Sequence, residues 1–135
     1  MTLIVRQFVN GSYVQNCYIA ANEKGEALIV DPGCDLDGIV AIIDDNGWTP
    51  LAVIGTHAHF DHMGAVDDAM KQYDIPFYLH YADEPILRRM NLYKMVVEAG
   101  AGLAIPKVTH DLAELDAAFD IGDFHIEVIE TPGHT

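Results

Sequence analysis

Over residues 3–31 apolar and polar positions alternate in three short runs, LIVRQFV, NCYIAA and EALIVD, separated by turn residues around Asn10-Gly11 and from Asn22 to Gly25. Period-two patterning of this length predicts strands, and the second turn is short enough for a hairpin. The period then changes. Leu36, Ile39, Val40 and Ile43 recur at helical spacing, with Asp35 placed to cap the first turn and Gly47 to end the last. PLAVIGTH is an unbroken apolar run of strand length, which predicts a strand buried on both faces. Val66, Ala69, Met70 and Tyr73 mark a second helix, and IPFYLH another short strand. ADEPILRRMNLYKMVVEAG predicts one long third helix, with Pro85 in its first turn and Ile86, Met90, Tyr93 and Val97 on one face. PKVTH and AAFDIGDFHIEVIE return to strand character, the latter turning at Gly122-Asp123. Strands, then alternating helices and strands, then strands again imply mixed sheets with helices outside them.

Composition narrows the setting. A chain of 135 residues, half of them hydrophobic, is one globular domain, 1–135, able to bury a core. Twenty-one acidic residues against seven basic ones give a net charge of −14, which argues against nucleic acid and anionic membrane surfaces as partners. The basic pair Arg88-Arg89 falls in a helical pattern and reads as a solvated face. No apolar run approaches the roughly 20 residues of a membrane span. The segment MTLIVRQFVNG lacks the basic, apolar and small-residue regions of a signal peptide, so the expected location is cytoplasmic. Cys17 and Cys34 form neither a disulfide framework nor a C-x-x-C pair, and Cys17 reads as a small buried hydrophobe.

The chemistry concentrates in GTHAHFDHMG, where His57, His59, Asp61 and His62 fall within six residues, directly after a buried strand. Imidazole and carboxylate are metal ligands near neutral pH. In an extended loop His57 and His59 point the same way, towards one ion. Asp61 and His62, one step further round as a helix begins, point towards a second. Two ions a few ångströms apart suit the activation of water. His80, His110 and His125 stand alone and read as surface or structural histidines.

The ordered set VQNCYIA, LIVDPG, THAHFDHMGA and TPGHT resembles the metallo-β-lactamase superfamily, and in particular its glyoxalase II-like branch, the hydroxyacylglutathione hydrolases. The resemblance covers essentially the whole chain and implies an α/β fold, an αββα sandwich of mixed sheets with outer helices. It implies that His57, His59 and His134 bind one metal, that Asp61 and His62 bind the other, and that Asp31 supports the metal loop from behind. Asp61 would also orient the nucleophile. Zinc at two sites is the implied cofactor, with iron or manganese as alternatives. The implied activity is metal-dependent hydrolysis of a small-molecule thioester; an iron persulfide dioxygenase of the same fold is the alternative. The family pattern continues past TPGHT with more strands, a bridging aspartate and a final histidine. The chain is therefore expected to be a C-terminally truncated domain, covered by a second copy as a homo-oligomer or by a chain supplying the missing part. A non-catalytic fragment that dimerises or binds metal weakly is the remaining alternative.

Overall fold

The structure is a computed structural model and describes residues 2–11, 13–97 and 102–133. Strands β1 (Ile4–Asn10), β2 (Gln15–Ala21) and β3 (Glu26–Val30) form an antiparallel meander. β4 (Thr49–Ile54), β5 (Phe77–Leu79) and β6 (His110–Asp111) extend it in parallel, giving a six-stranded sheet in chain order. Helix α1 (Leu36–Asn46) joins β3 to β4, and α2 (Phe60–Met63) with α3 (Val66–Tyr73) joins β4 to β5. A 3₁₀ turn at Tyr81–Asp83, α4 (Glu84–Arg88) and α5 (Met90–Val97) lead towards β6. β7 (Ala118–Ile121) and β8 (Phe124–Glu127) make a separate antiparallel hairpin.

Local chemistry sets these boundaries. The Asp35 carboxylate accepts the Gly38 N–H at 3.0 Å, and α1 ends at Gly47 in the left-handed conformation. Its buried residues Ile39 and Ile43 pack with Cys17, Ile19, Ile29, Val53, Phe77 and Leu79 into one core on the helical side of the sheet. Removing each such aliphatic or aromatic side chain from water contributes about 1.5–3 kcal/mol. On the opposite side Leu28 and Ala52 pack with Ile121 and Phe124 of the hairpin. β4 is thus buried on both faces, Val53 in one core and Ala52 in the other, as its unbroken apolar run predicts. The order helices, sheet, hairpin gives three layers of the expected αββα sandwich; no helix covers the hairpin side among the described residues. Away from the hairpin, Val5, Val9 and Tyr18 stay 51%, 46% and 39% exposed.

Two segments differ from their sequence pattern. The predicted long third helix is broken at Arg89, where φ −98° and ψ 9° depart from the helix. Leu87 and Met90 are the residues buried there, at 1% and 0% exposure, whereas Tyr93 is 39% exposed, so the apolar positions serve two surfaces and not one stripe. PKVTH pairs only at its last residue and the next one, His110 and Asp111. The Phe77 carbonyl still accepts the Thr109 backbone N–H at 2.9 Å, but the Phe77 N–H donates to the Thr109 hydroxyl, so at that group a side chain stands where the ladder would continue.

Candidate metal centre

The carboxyl ends of β3, β4 and β5 deliver Asp31, the loop from Thr56 to His62, and Asp83 to one edge of the sheet, the usual ligand edge of parallel α/β sheets. The loop cannot join the ladder because β4 has ended, and α2 begins only at Phe60. His57, His59 and His62 are therefore gathered by loop backbone held at several points. Asp83 accepts the Ala58 N–H at 3.0 Å, and the carbonyl of His59 accepts the His62 N–H at 3.0 Å.

The three rings form one compact cluster. The His57 ring lies 4.8 Å from that of His59 and 4.1 Å from that of His62, centroid to centroid. Asp61 Oδ2 is 3.6 Å from His62 Nε2. One ligand atom from each of Asp31, His57 and His62 lies within 4.8 Å of the others, the one such set among the described residues.

Hydrogen bonds fix which nitrogens face inward. Asp31 is 4% exposed and its carboxylate accepts three bonds: from the Thr56 N–H at 2.8 Å, from the Thr56 hydroxyl, and from His62 Nδ1 at 2.9 Å. The Thr56 hydroxyl has a single proton, and Asp31 takes it. Its oxygen must then accept at the 3.0 Å contact with His57 Nδ1. Both His57 and His62 thus carry hydrogen on Nδ1, leaving Nε2 as the position for a lone pair, the arrangement of histidines whose outer nitrogen is oriented by a neighbour. Burial pushes the His62 imidazole down, but the hydrogen bond and charge of Asp31, with the charge of Asp61, outweigh it and hold His62 above the usual histidine range. Carboxylates that favour a proton at Nε2 favour any cation there. The donor set fits a metal ion.

A polar belt anchors the arm that carries Asp31. Asn10 Nδ2 donates to the Pro32 carbonyl at 3.2 Å and its Oδ1 accepts the Cys34 N–H at 3.1 Å, while Gln15 Nε2 donates to Asn10 Oδ1 at 3.1 Å. Gly33 sits inside this belt and ties it to the histidine loop: its N–H donates to the His62 carbonyl at 2.8 Å, and its own carbonyl accepts the Ala65 N–H at 2.6 Å. At φ +75°, a Cβ on Gly33 would lie 2.1 Å from both Asn10 Oδ1 and Gln15 Nε2. Gly33→Ala is expected to cost about 2–4 kcal/mol, from overpacking added to left-handed strain. The denaturant midpoint checks this; a shift worth under about 0.5 kcal/mol would refute the anchoring role.

The structure brings His57, His59, Asp61, His62 and Asp31 together in one cluster. His134 lies outside the described residues. His80, His110 and His125 lie elsewhere: His80 donates to Glu130 at 3.1 Å, His110 stacks on Tyr78, and His125 contacts Asp120 at 2.9 Å. Sequence reading misses Thr56, Asp83, Asn10 and Gln15, whose roles depend on partners up to 25 residues away. It also misses a cleft of about 330 Å³ beside the cluster, lined by Tyr13, Phe60, Ile86 and Tyr93 together with His59 and Asp61. Among the described residues, no helix is long and apolar enough to cross a membrane.

Comparison with known proteins gives the same picture. The family model described as the Metallo-beta-lactamase superfamily matches residues 10–135. The probable metallo-hydrolase YqgX of Bacillus subtilis is 37% identical over 130 residues, 96% of this chain and 61% of its own length. A hydroxyacylglutathione hydrolase of Hahella chejuensis is 32% identical over 84% of this chain but only 36% of its own length. Among solved structures, BLEG-1, a B3 metallo-beta-lactamase, superposes with a TM-score of 0.86 at 34% identity, covering 98% of this chain and 63% of its own. The chain thus spans about three fifths of the length of YqgX and BLEG-1.

Proposed function

We propose a function from one premise: the chain belongs to the metallo-beta-lactamase superfamily. Its fold is that of a metallo-hydrolase, and the reaction we propose for the whole protein is hydrolysis of a thioester of the hydroxyacylglutathione type. The observation that carries this reading is the cluster of His57, His59, His62 and Asp61 at the carboxyl end of β4, with Asp31 and Thr56 setting its tautomers.

His57 and His59, joined by His134, would hold one ion; Asp61 and His62 would hold the other. Zinc is the proposed metal, with iron or manganese as alternatives. Such ions supply Lewis acidity and a water that is nucleophilic near neutral pH. The chain's own groups do the rest. Asp31 and Thr56 orient His57 and His62 before substrate arrives, so the donors need no reorganisation. Asp61 would help aim the attacking oxygen at the carbonyl carbon. In the overall reaction the acyl–sulfur bond breaks, the water oxygen enters the product carboxylate, one water proton leaves on the thiol and the other is released to solvent. No protein nucleophile is required. Burial, reinforced by the charge of Asp31, pushes the Cys17 thiol up to about 12, which keeps it inert. The Thr56 proton is committed to Asp31 and so is not available to His57 as a base.

The test is a substrate panel on the whole gene product. Thiol release from a lactoyl thioester of glutathione is expected, while ring opening of a β-lactam and oxygen consumption with glutathione persulfide are not. Faster turnover of either comparison substrate would replace this reading with a lactamase or a dioxygenase.

A further inference from the structure

Three separate segments meet beside the histidine cluster to build an apolar wall. Tyr13 comes from the β1–β2 turn, Phe60 from the histidine loop, and Ile86 and Tyr93 from α4 and α5. The Tyr13 and Phe60 rings pack edge to face, with centroids 5.8 Å apart and planes at 83°. Phe60 and Ile86 also pack against the main core, which fixes their positions. Tyr13 and Tyr93, by contrast, remain 49% and 39% exposed. Large apolar side chains left open and gathered on one concavity mark a binding surface.

The cleft opens on chemistry, because His59 and Asp61 line it as well. Whatever lies in it lies against two residues of the candidate metal centre. Its volume of about 330 Å³ stands at the low end of ligand sites, which run from about 300 to 1,000 Å³. Among the described residues its lining holds one carboxylate, Asp61, and no lysine or arginine. The chain as a whole carries a net charge of −14. Neither feature suits an anionic carrier: the peptide half of a glutathione thioester brings two carboxylates that nothing in this lining would pair. The acyl half needs no cation and fits the size.

We infer that Tyr13, Phe60, Ile86 and Tyr93 form an acyl subsite that selects thioesters with an uncharged, apolar acyl group. This rests on the thioester reading and adds a substrate class to it.

The experiment uses acetyl, butyryl, phenylacetyl and succinyl thioesters of one thiol, assayed with the metal-loaded whole gene product. kcat/KM is expected to rise about 10-fold or more from acetyl to butyryl or phenylacetyl, because each methylene in a hydrophobic pocket discriminates about 10–200-fold. Succinyl, of similar length but charged, should fall below butyryl. Tyr13→Ala and Tyr93→Ala should flatten the series, whereas Leu92→Ala, exposed on α5 outside the cleft, should preserve its slope. A second readout needs no turnover: phenylacetamide titrated into metal-free protein, followed by NMR, should bind and should lose at least five-fold in affinity with Tyr93→Ala. If no thioester is cleaved yet phenylacetamide binding depends on Tyr13 and Tyr93, the hydrolytic reading fails and the subsite stands. If thioesters are cleaved with a flat series, or succinyl is preferred, the subsite is overturned and the hydrolysis stands.

Discussion

Stripping metal from the whole gene product with a chelator is expected to lower the proposed thioester hydrolysis at least about 10³-fold, with zinc expected to restore it. The size follows from what the chain has without an ion. His57 and His62 have Nδ1 engaged by Thr56 and Asp31, which leaves only Nε2 to act on a substrate. Cys17 cannot substitute as a nucleophile, buried and held as a thiol. What would be lost is several kcal/mol of charge stabilisation at the carbonyl, and each 1.4 kcal/mol is about ten-fold in rate. Parallel reconstitution with iron and manganese, with metal content measured in each sample, identifies the productive ion. Hydrolysis that survives chelation with less than equimolar residual metal would remove the basis of the proposed mechanism.

The same loop shows what a sequence can disclose and what it hides. His57, His59, Asp61 and His62 are legible because they share one short loop, and adjacency in sequence guarantees adjacency in space. α1 is equally legible, since Asp35 and Gly47 are local signals at its two ends. The break at Arg89 is not, because apolar residues at helical spacing continue through it: each of the two helices buries one residue in the core, Leu87 and Met90, and turns another, Ile86 and Tyr93, to the cleft. Thr109 hides for another reason: a β-branched polar residue is a good strand former, and only the position of Phe77 turns its hydroxyl into a competitor for the ladder. The support of the metal loop lies furthest from view. Asp83 under Ala58, Thr56 against Asp31 and Asn10 under Pro32 are each tertiary contacts between different strand ends. Asp31 enters the sequence reading only through the resemblance of LIVDPG to a family motif, since one buried aspartate after a strand has no local signature of its own.

That aspartate is where the second large effect is expected. Asp31→Ala should weaken metal binding about 10- to 100-fold, the usual loss when a group that orients a ligating histidine is removed. It should also destabilise the metal-free protein by about 3 kcal/mol, because His62 Nδ1–H, the Thr56 N–H and the Thr56 hydroxyl all lose their acceptor at once. Backbone adds to this: Asp31 sits at φ +51°, a region that aspartate tolerates better than alanine. Asp31→Asn separates the contributions. Asparagine keeps the shape and accepts φ > 0, so much of the stability should return. Its amide has one acceptor oxygen and no charge: placed at the Oδ2 position it still accepts from the Thr56 hydroxyl and His62 Nδ1, but its NH2 then faces the Thr56 N–H, and it gives a bound cation no field. Metal affinity should therefore stay low in Asp31→Asn while its melting temperature recovers. Equal recovery of both would mean that Asp31 only fills space and holds the turn; affinity within two-fold of the parent in Asp31→Ala would mean that His57 and His62 find their orientation without it.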